Sequence, residues 1–282
     1  MEARLPGFAA NQLACSMLCV AAACAIACGD RSSSTKQQQE AAPVALPPAS
    51  SNQPPAPASS QSRQQRQNDP SLPRDEEGPI GVQNSSGRSG AFYVPGGSGI
   101  NALPVLVILH GSGQSGSDMI ARFRDLAKAH RFAIVAPESR DNSAWEVGDK
   151  QGDVTPDFTH TLDCIEWVRS HAGFLVDEAH VLIAGYSGGG SSAPYIASNR
   201  AGFTHTAVLH GGVFPGGIGP RRIPAWFSTG DQDAIRPVAL VRQSADALTS
   251  LGFSGVSFRS YPGRHELSDA ELRDLIDWWL GS

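Results

Sequence analysis

With 282 residues and 40% hydrophobic content, the chain can fill one sizeable core or two small ones. A net charge of −5 leaves no basic surface that would invite nucleic acid. Neither a sustained heptad nor a short glycine repeat is present, which excludes the coiled-coil and fibrous classes.

Four of the five cysteines, Cys15, Cys19, Cys24 and Cys28, crowd into the apolar run LACSMLCVAAACAIAC, with Arg4 before it and the polar GDRSSS after it. Such a run is short for a membrane-spanning helix and suits the core of an export signal. Ala25-Ile26-Ala27-Cys28 resembles a bacterial lipobox, which implies that Cys28 is lipidated and becomes the new N-terminus. Ala25 stands where that family usually has Leu, and Cys24, after three alanines, is a competing site. Plain secretion and an uncleaved anchor are the alternatives. Residues 1–28 are thus expected to be an export signal of lipoprotein type, giving an exported, membrane-tethered protein.

Residues 29–88 run in Ser, Gln, Pro and Ala, and no aromatic occurs between Phe8 and Phe92. That composition buries too little apolar area to offset chain entropy and is expected to form a disordered spacer. The folded domain is therefore expected at 89–282, as a single unit and a monomer. It contains all eight histidines, and Cys164 is its only cysteine, so no disulfide can form within it. On a helical pattern, Cys164 reads as a buried structural thiol.

The domain alternates strands and helices. Strands are predicted at 90–95, 103–111, 132–137, 180–187, 204–212, 223–230 and 255–263. Helices are predicted at 117–130, capped by Ser117, then at 157–171, from Gly188 onward with Pro194 disturbing its first turns, and at 236–251 and 267–280. Phe158, Leu162, Ile165 and Val168 share one face of the second. Near-continuous apolar strands alternating with helices give a mostly parallel sheet covered on both faces.

Within it, Gly185-Tyr186-Ser187-Gly188-Gly189 fits G-x-S-x-G at a strand-to-helix turn. Glycines there allow a strained backbone, and the helix N-terminus favours negative charge beside the serine. Ser187 is the expected nucleophile. It needs a base, oriented by an acid, in the chain order Ser, acid, His. His205 lies inside an apolar strand and reads as structural. His210 ends a strand and could line a pocket, but no suitable acid stands between it and Ser187. His265, in a glycine-bearing loop after the last strand, is the expected base. Asp246 reads as a solvated helix face, leaving Asp231 and Asp233 as candidate acids. For the oxyanion, two backbone amides are expected, from Gly188 and from Ser112 in the loop LHGSGQSG. The loop carries no Walker lysine, and His110 reads as a brace within it.

From about Pro104 onward the chain resembles α/β-hydrolases of the esterase group that includes polyhydroxyalkanoate-depolymerase-like esterases and the phospholipase/carboxylesterase family. The pieces that carry this are LHGSGQSG, FAIVAPES, AWEVG, LVDEAHVLIAGYSGGG, GDQDAIRP and GRHEL, all in order. The resemblance implies an α/β-hydrolase fold and a cofactor-free, metal-free serine ester hydrolase. It places the acid at Asp233, in a G-x-x-D-x-x-V-P-like stretch where Arg236 replaces Val, and makes Asp231 a turn former. Pro194 after the elbow and Glu146 after Trp145 depart from the group's pattern. Only VFPGGIGPRR separates two late strands, too little for a lid domain, so an open site is expected. Trp145, Tyr186 and Phe214 are the candidates for lining it, while Trp278 and Trp279 read as packing. Short-chain, polysaccharide-linked or polyester substrates fit. A peptidase or thioesterase on the same fold, or a tethered binding module without activity, are the rival readings.

Overall fold

The computed structural model describes residues 74–97, 102–212, 214 and 216–281; the expected export signal with Cys28, and the spacer up to residue 73, lie outside the described residues. Among the described residues, eight strands and five helices follow in chain order: β1 (Glu76–Pro79), β2 (Gly90–Val94), β3 (Ala102–Leu109), α1 (Gly116–His130), β4 (Ala133–Pro137), α2 (Pro156–His171), β5 (Leu175–Tyr186), α3 (Gly188–Asn199), β6 (His205–Leu209), β7 (Ala225–Gly230), α4 (Val238–Ser250), β8 (Ser257–Tyr261) and α5 (Asp269–Leu280). They form one sheet in the order β1-β2-β4-β3-β5-β6-β7-β8. Only the β1–β2 and β2–β4 pairs are antiparallel.

The period of two in each strand divides the core into two layers. Val105, Val107 and Leu109 of β3 join Ile183, Val208 and Phe227 on the side covered by α2, α3 and α4. Leu106 and Ile108 join Ile134, Leu182 and Trp226 on the side covered by α1 and α5. This is the doubly covered α/β-hydrolase sheet that the sequence led us to expect.

Besides shifts at element ends, the largest at β5, which begins at Leu175 and not at residue 180, three features differ from expectation. The domain starts earlier than residue 89, because β1 pairs with β2 from Glu76↔Val94 to Pro79↔Ala91. EEGP carries no apolar alternation, and an edge strand tolerates acidic residues and a proline that an inner strand could not. Helix α1 is capped by Ser115, not Ser117: the Ser115 hydroxyl accepts from the Asp118 amide while the Asp118 carboxylate accepts from the Ser115 amide. Helix α3 runs unbroken through Pro194, and every residue from Gly189 to Ser198 is buried. Packing on the sheet outweighs the one backbone donor that proline removes.

Residues 210–224 join β6 to β7 with no helix or strand among those described, so no lid domain is inserted there. Among the described residues no helix is long and apolar enough to cross a membrane.

Candidate active site

Parallel pairing brings the C-terminal ends of β3, β5, β6, β7 and β8 to one edge of the sheet. The register Leu109↔Gly185, Tyr186↔Leu209, Leu209↔Ser228 and Gly230↔Tyr261 fixes it. Open α/β sheets present their ligand sites at this edge.

Ser187 follows β5 directly and opens α3. Its backbone lies at φ 52°, ψ −112°, a region that L-residues occupy only under constraint. The constraint is visible. The Ser187 amide donates to Leu209 O at 2.8 Å, and the helix is pressed against the sheet through glycines. A Cβ on Gly185 would sit 2.2 Å from the carbonyl of Gly189, and one on Gly189 would sit 2.4 Å from Leu109 O. Gly185 is thus required by the backbone of Gly189, and Gly189 by the end of β3. Gly188 is different: a Cβ there would meet nothing within 4 Å.

The Ser187 Oγ lies 2.9 Å from His265 Nε2, and His265 Nδ1 lies 2.7 Å from Asp233 Oδ2. The structure therefore brings Ser187, His265 and Asp233 into one hydrogen-bonded chain. Asp233 is buried, and its other oxygen is fully committed: Oδ1 accepts from the amides of Ile235 at 2.8 Å and Arg236 at 2.7 Å. Burial alone would push this carboxyl up. The Arg236 amide and the imidazoles of His210 and His265 outweigh burial and hold it at about 2.

Asp231 sits in a turn, as expected, closed by Asp233 N to Gly230 O at 3.2 Å, but its side chain ties two loops together instead of bonding its own backbone. Its Oδ1 accepts from the Gly263 amide at 3.1 Å, beside Asp231 N to Tyr261 O at 2.8 Å and Gln232 N to Gly263 O at 2.9 Å. The side chain that bonds its own following backbone is that of Asp233, through Oδ1.

At the end of β3, His110 is buried and braces three segments. Its Nδ1 donates to Gly111 O at 2.8 Å, and its Nε2 accepts from the Ser139 amide at 3.2 Å. Burial lowers its proton affinity, in keeping with a neutral ring. Trp145 Nε1 donates to His110 O at 2.8 Å, and the two rings lie 5.0 Å apart. In the same loop the Gly111 amide donates to Gln114 Oε1 and the Gly113 amide to Asn142 O. The Ser112 hydroxyl donates to Ser143 O. Among the described residues no acceptor meets the amide of Ser112 or that of Gly188.

Tyr186 is buried, and its hydroxyl donates to His265 O at 2.7 Å. Its contacts are those of a brace for the His265 loop rather than of a wall of the substrate site. Phe214 is half-buried with its ring 6.3 Å from that of Phe227. His205 and Cys164 are buried away from this edge; Cys164 Sγ approaches Ser89 O, and burial pushes the thiol up.

One feature escaped the sequence reading. His210 also contacts Asp233 Oδ2, at 2.7 Å through Nδ1, while its Nε2 lies 3.3 Å from Glu271 Oε2. The ligand atoms of His210, Asp233 and His265 lie within 4.8 Å of one another, close enough to meet at one metal ion. Every ring nitrogen of the two imidazoles already has a hydrogen-bond partner, so a metal would displace the bonds that orient His265.

The family model "Esterase PHB depolymerase" matches residues 88–267, a span that holds Ser187, Asp233 and His265. The chain belongs to this family. It is a carboxylic ester hydrolase of the α/β-hydrolase fold. Among solved structures, this esterase is similar to FphF, a fluorophosphonate-binding serine hydrolase of Staphylococcus aureus, at 15% identity over 74% of this chain and 100% of that chain, TM-score 0.57. S-formylglutathione hydrolase (FrmB) of the same organism matches at 14% identity over 73% and 99%, TM-score 0.54. A carboxylesterase of Mesorhizobium loti matches at 17% identity over 73% and 99%, TM-score 0.53. At such identities these three speak for the fold. A comparison with curated protein sequences found no match.

Proposed function

We propose that this esterase works through an acyl-enzyme on Ser187. The observation that carries the reading is the Ser187–His265–Asp233 chain, with contacts of 2.9 and 2.7 Å, at a strained turn between strand and helix. His265 Nε2 takes the Ser187 proton as Oγ attacks the ester carbonyl carbon. The carbonyl oxygen becomes an oxyanion, which accepts from the Ser112 and Gly188 amides. Collapse breaks the bond to the alcohol oxygen, and His265 returns its proton to that oxygen. Water, deprotonated by His265, then releases the acid and restores Ser187. Asp233 keeps Nδ1–H of His265 oriented and stabilises the imidazolium that forms.

The short β6–β7 connection supports an open site. Short-chain esters, acyl groups on polysaccharides and polyesters are the substrates proposed, with Trp145 and Phe214 at the walls. The test is hydrolysis of p-nitrophenyl esters of graded chain length, beside thioester and peptide substrates. Treatment with an organophosphonate should place the adduct on Ser187, and Ser187→Ala should stay folded and lose turnover. An adduct elsewhere, or full activity in that variant, rejects the mechanism. A preference for thioesters or peptides rejects the substrate class.

The lipobox-like segment supports a second proposal: a lipid on Cys28 tethers the enzyme, and the spacer holds the domain off the surface. Expressed in a bacterium that makes lipoproteins, the protein should partition with membranes and Cys28→Ser should not. Release by Cys24→Ser instead would move the anchor.

A further inference from the structure

His210 sits just past β6, at φ 51°. Together with Ser187 it makes two of the three non-glycine residues with positive φ among those described, and both lie at the site. Its amide is fixed by Ser228 O at 2.8 Å, and its side chain is 1% exposed. The reaction proposed above makes no use of it.

We propose that His210 is a positioning residue: an imidazolium fixed between Asp233 and Glu271 that restrains the Asp233 carboxylate and divides its charge with His265. The proposal rests on the reading of Ser187, His265 and Asp233 as the catalytic triad.

The first support is hydrogen-bond chemistry. Nδ1 faces Asp233 Oδ2 at 2.7 Å and Nε2 faces Glu271 Oε2 at 3.3 Å. A neutral imidazole offers one donor and one acceptor, whereas a ring between two carboxylate oxygens needs two donors. The second support is burial. Glu271 is wholly buried at the start of α5, where its Oε2 also accepts from the Ser268 amide at 3.3 Å. Its Oε1 has no hydrogen-bond partner among the described residues. A carboxyl this deep must be neutralised by a proton or by a cation, and His210 is the group in contact with it that can supply the cation.

The groups that face His210 agree with this. They are Asp233 from the loop after β7, Glu271 from α5, His265 from the loop after β8 and Tyr186 at the end of β5. The His265 and Tyr186 ring centroids lie 5.4 and 5.7 Å away. Burial would lower the proton affinity of His210, but the bonds and charges of Glu271 and Asp233 outweigh it and raise it.

The consequence falls on Asp233 Oδ2, which receives His210 and His265 at 2.7 Å each. With Oδ1 held by two amides, the carboxylate has no free lone pair and no room to turn. The positive charge of His210 offsets part of the negative charge that Asp233 presents to His265.

His210→Asn keeps a donor toward Asp233 but removes the charge, and Glu271→Gln keeps the cap on α5 but removes the counter-charge. For full-length protein acting on p-nitrophenyl acetate, the acidic limb of the kcat/KM profile should move to higher pH by about one unit in His210→Asn. Glu271→Gln removes the counter-charge that keeps His210 protonated, and the neutral ring that results should move the limb less but in the same direction, with KM little changed in both. Nitrogen NMR of histidine-labelled wild-type protein should show one ring with both nitrogens protonated at neutral pH, lost in His210→Asn. A limb that stays in place while only the melting temperature falls would reduce His210 to a packing role and overturn the proposal. So would a bare ring nitrogen on His210. If His210→Asn does not fold, Glu271→Gln and the NMR spectrum decide. Phosphonate labelling of the same samples separates the two readings: no adduct on Ser187 means the triad is wrong, while an adduct with an unmoved limb means His210 is.

Discussion

His265 and His210 touch the same oxygen of Asp233 at the same 2.7 Å, yet they stand in opposite situations. The His265 side chain is 16% exposed, sits in a loop and turns its second nitrogen to Ser187. His210 is 1% exposed, follows a central strand and turns its second nitrogen to a buried glutamate. Contact with the acid is therefore not what makes a general base. A base must be able to give its proton away, and only the ring with a nitrogen at the open side can do so. The buried ring, committed at both nitrogens, can hold charge but cannot pass it on.

Removing the shared anchor is the most severe way to break this pair. Asp233→Asn should lower kcat by about 10⁴-fold, as loss of the orienting acid does in serine proteases. Asp231→Asn should keep most of the rate, because it loses only a charge and retains an oxygen that can accept from the Gly263 amide. The same substitution changes the response to acid. The folded-state value of Asp233, about 2, lies below the unfolded reference of ~3.9, so its contribution to stability is present above about pH 4 and lost as pH falls toward 2. Melting curves of the wild type should fall over that window more steeply than those of Asp233→Asn. A dead Asp231→Asn beside an active Asp233→Asn would show that the acid is wrongly assigned.

How much of this could be read in the sequence follows from how local each feature is. The elbow was legible because the constraint on Gly185 comes from the backbone of Gly189, four residues on, and the motif records that contact directly. His265 followed from chain order. The choice of Asp233 over Asp231 came from resemblance, and the residue type alone could not have made it, since both aspartates hydrogen-bond neighbouring amides. Strand β1 was lost in the spacer because an exposed edge needs no apolar alternation. His210 was weighed and set aside for want of an acid between it and Ser187. Its acids come later in the chain, 23 and 61 residues on, and meet it only through the sheet and α5. One clue was present: Ser268 and Glu271 have capping-box spacing, although nothing in the sequence says that this glutamate is buried.

The smallest expected effect separates the two histidines most cleanly. Tyr186 lies beside both, 5.2 Å from the His265 ring and 5.7 Å from that of His210, but its hydroxyl serves only the former, through His265 O. Burial and the charges of Asp233 and Glu271 push this phenol up to about 12, so it remains a donor across the working range and adds no alkaline limb of its own. Tyr186→Phe removes one hydrogen bond of roughly 1 kcal/mol and leaves the ring in place. The loop that carries the base should loosen while the imidazole behind Asp233 stays where it is. kcat should fall by roughly 5-fold, the factor that about 1 kcal/mol represents, with KM little changed and the acidic limb unmoved. The NMR signature of the doubly protonated ring should persist. If that signature disappears together with the rate, the two histidines respond as one unit, and the division between a base at the open side and a buried cation fails.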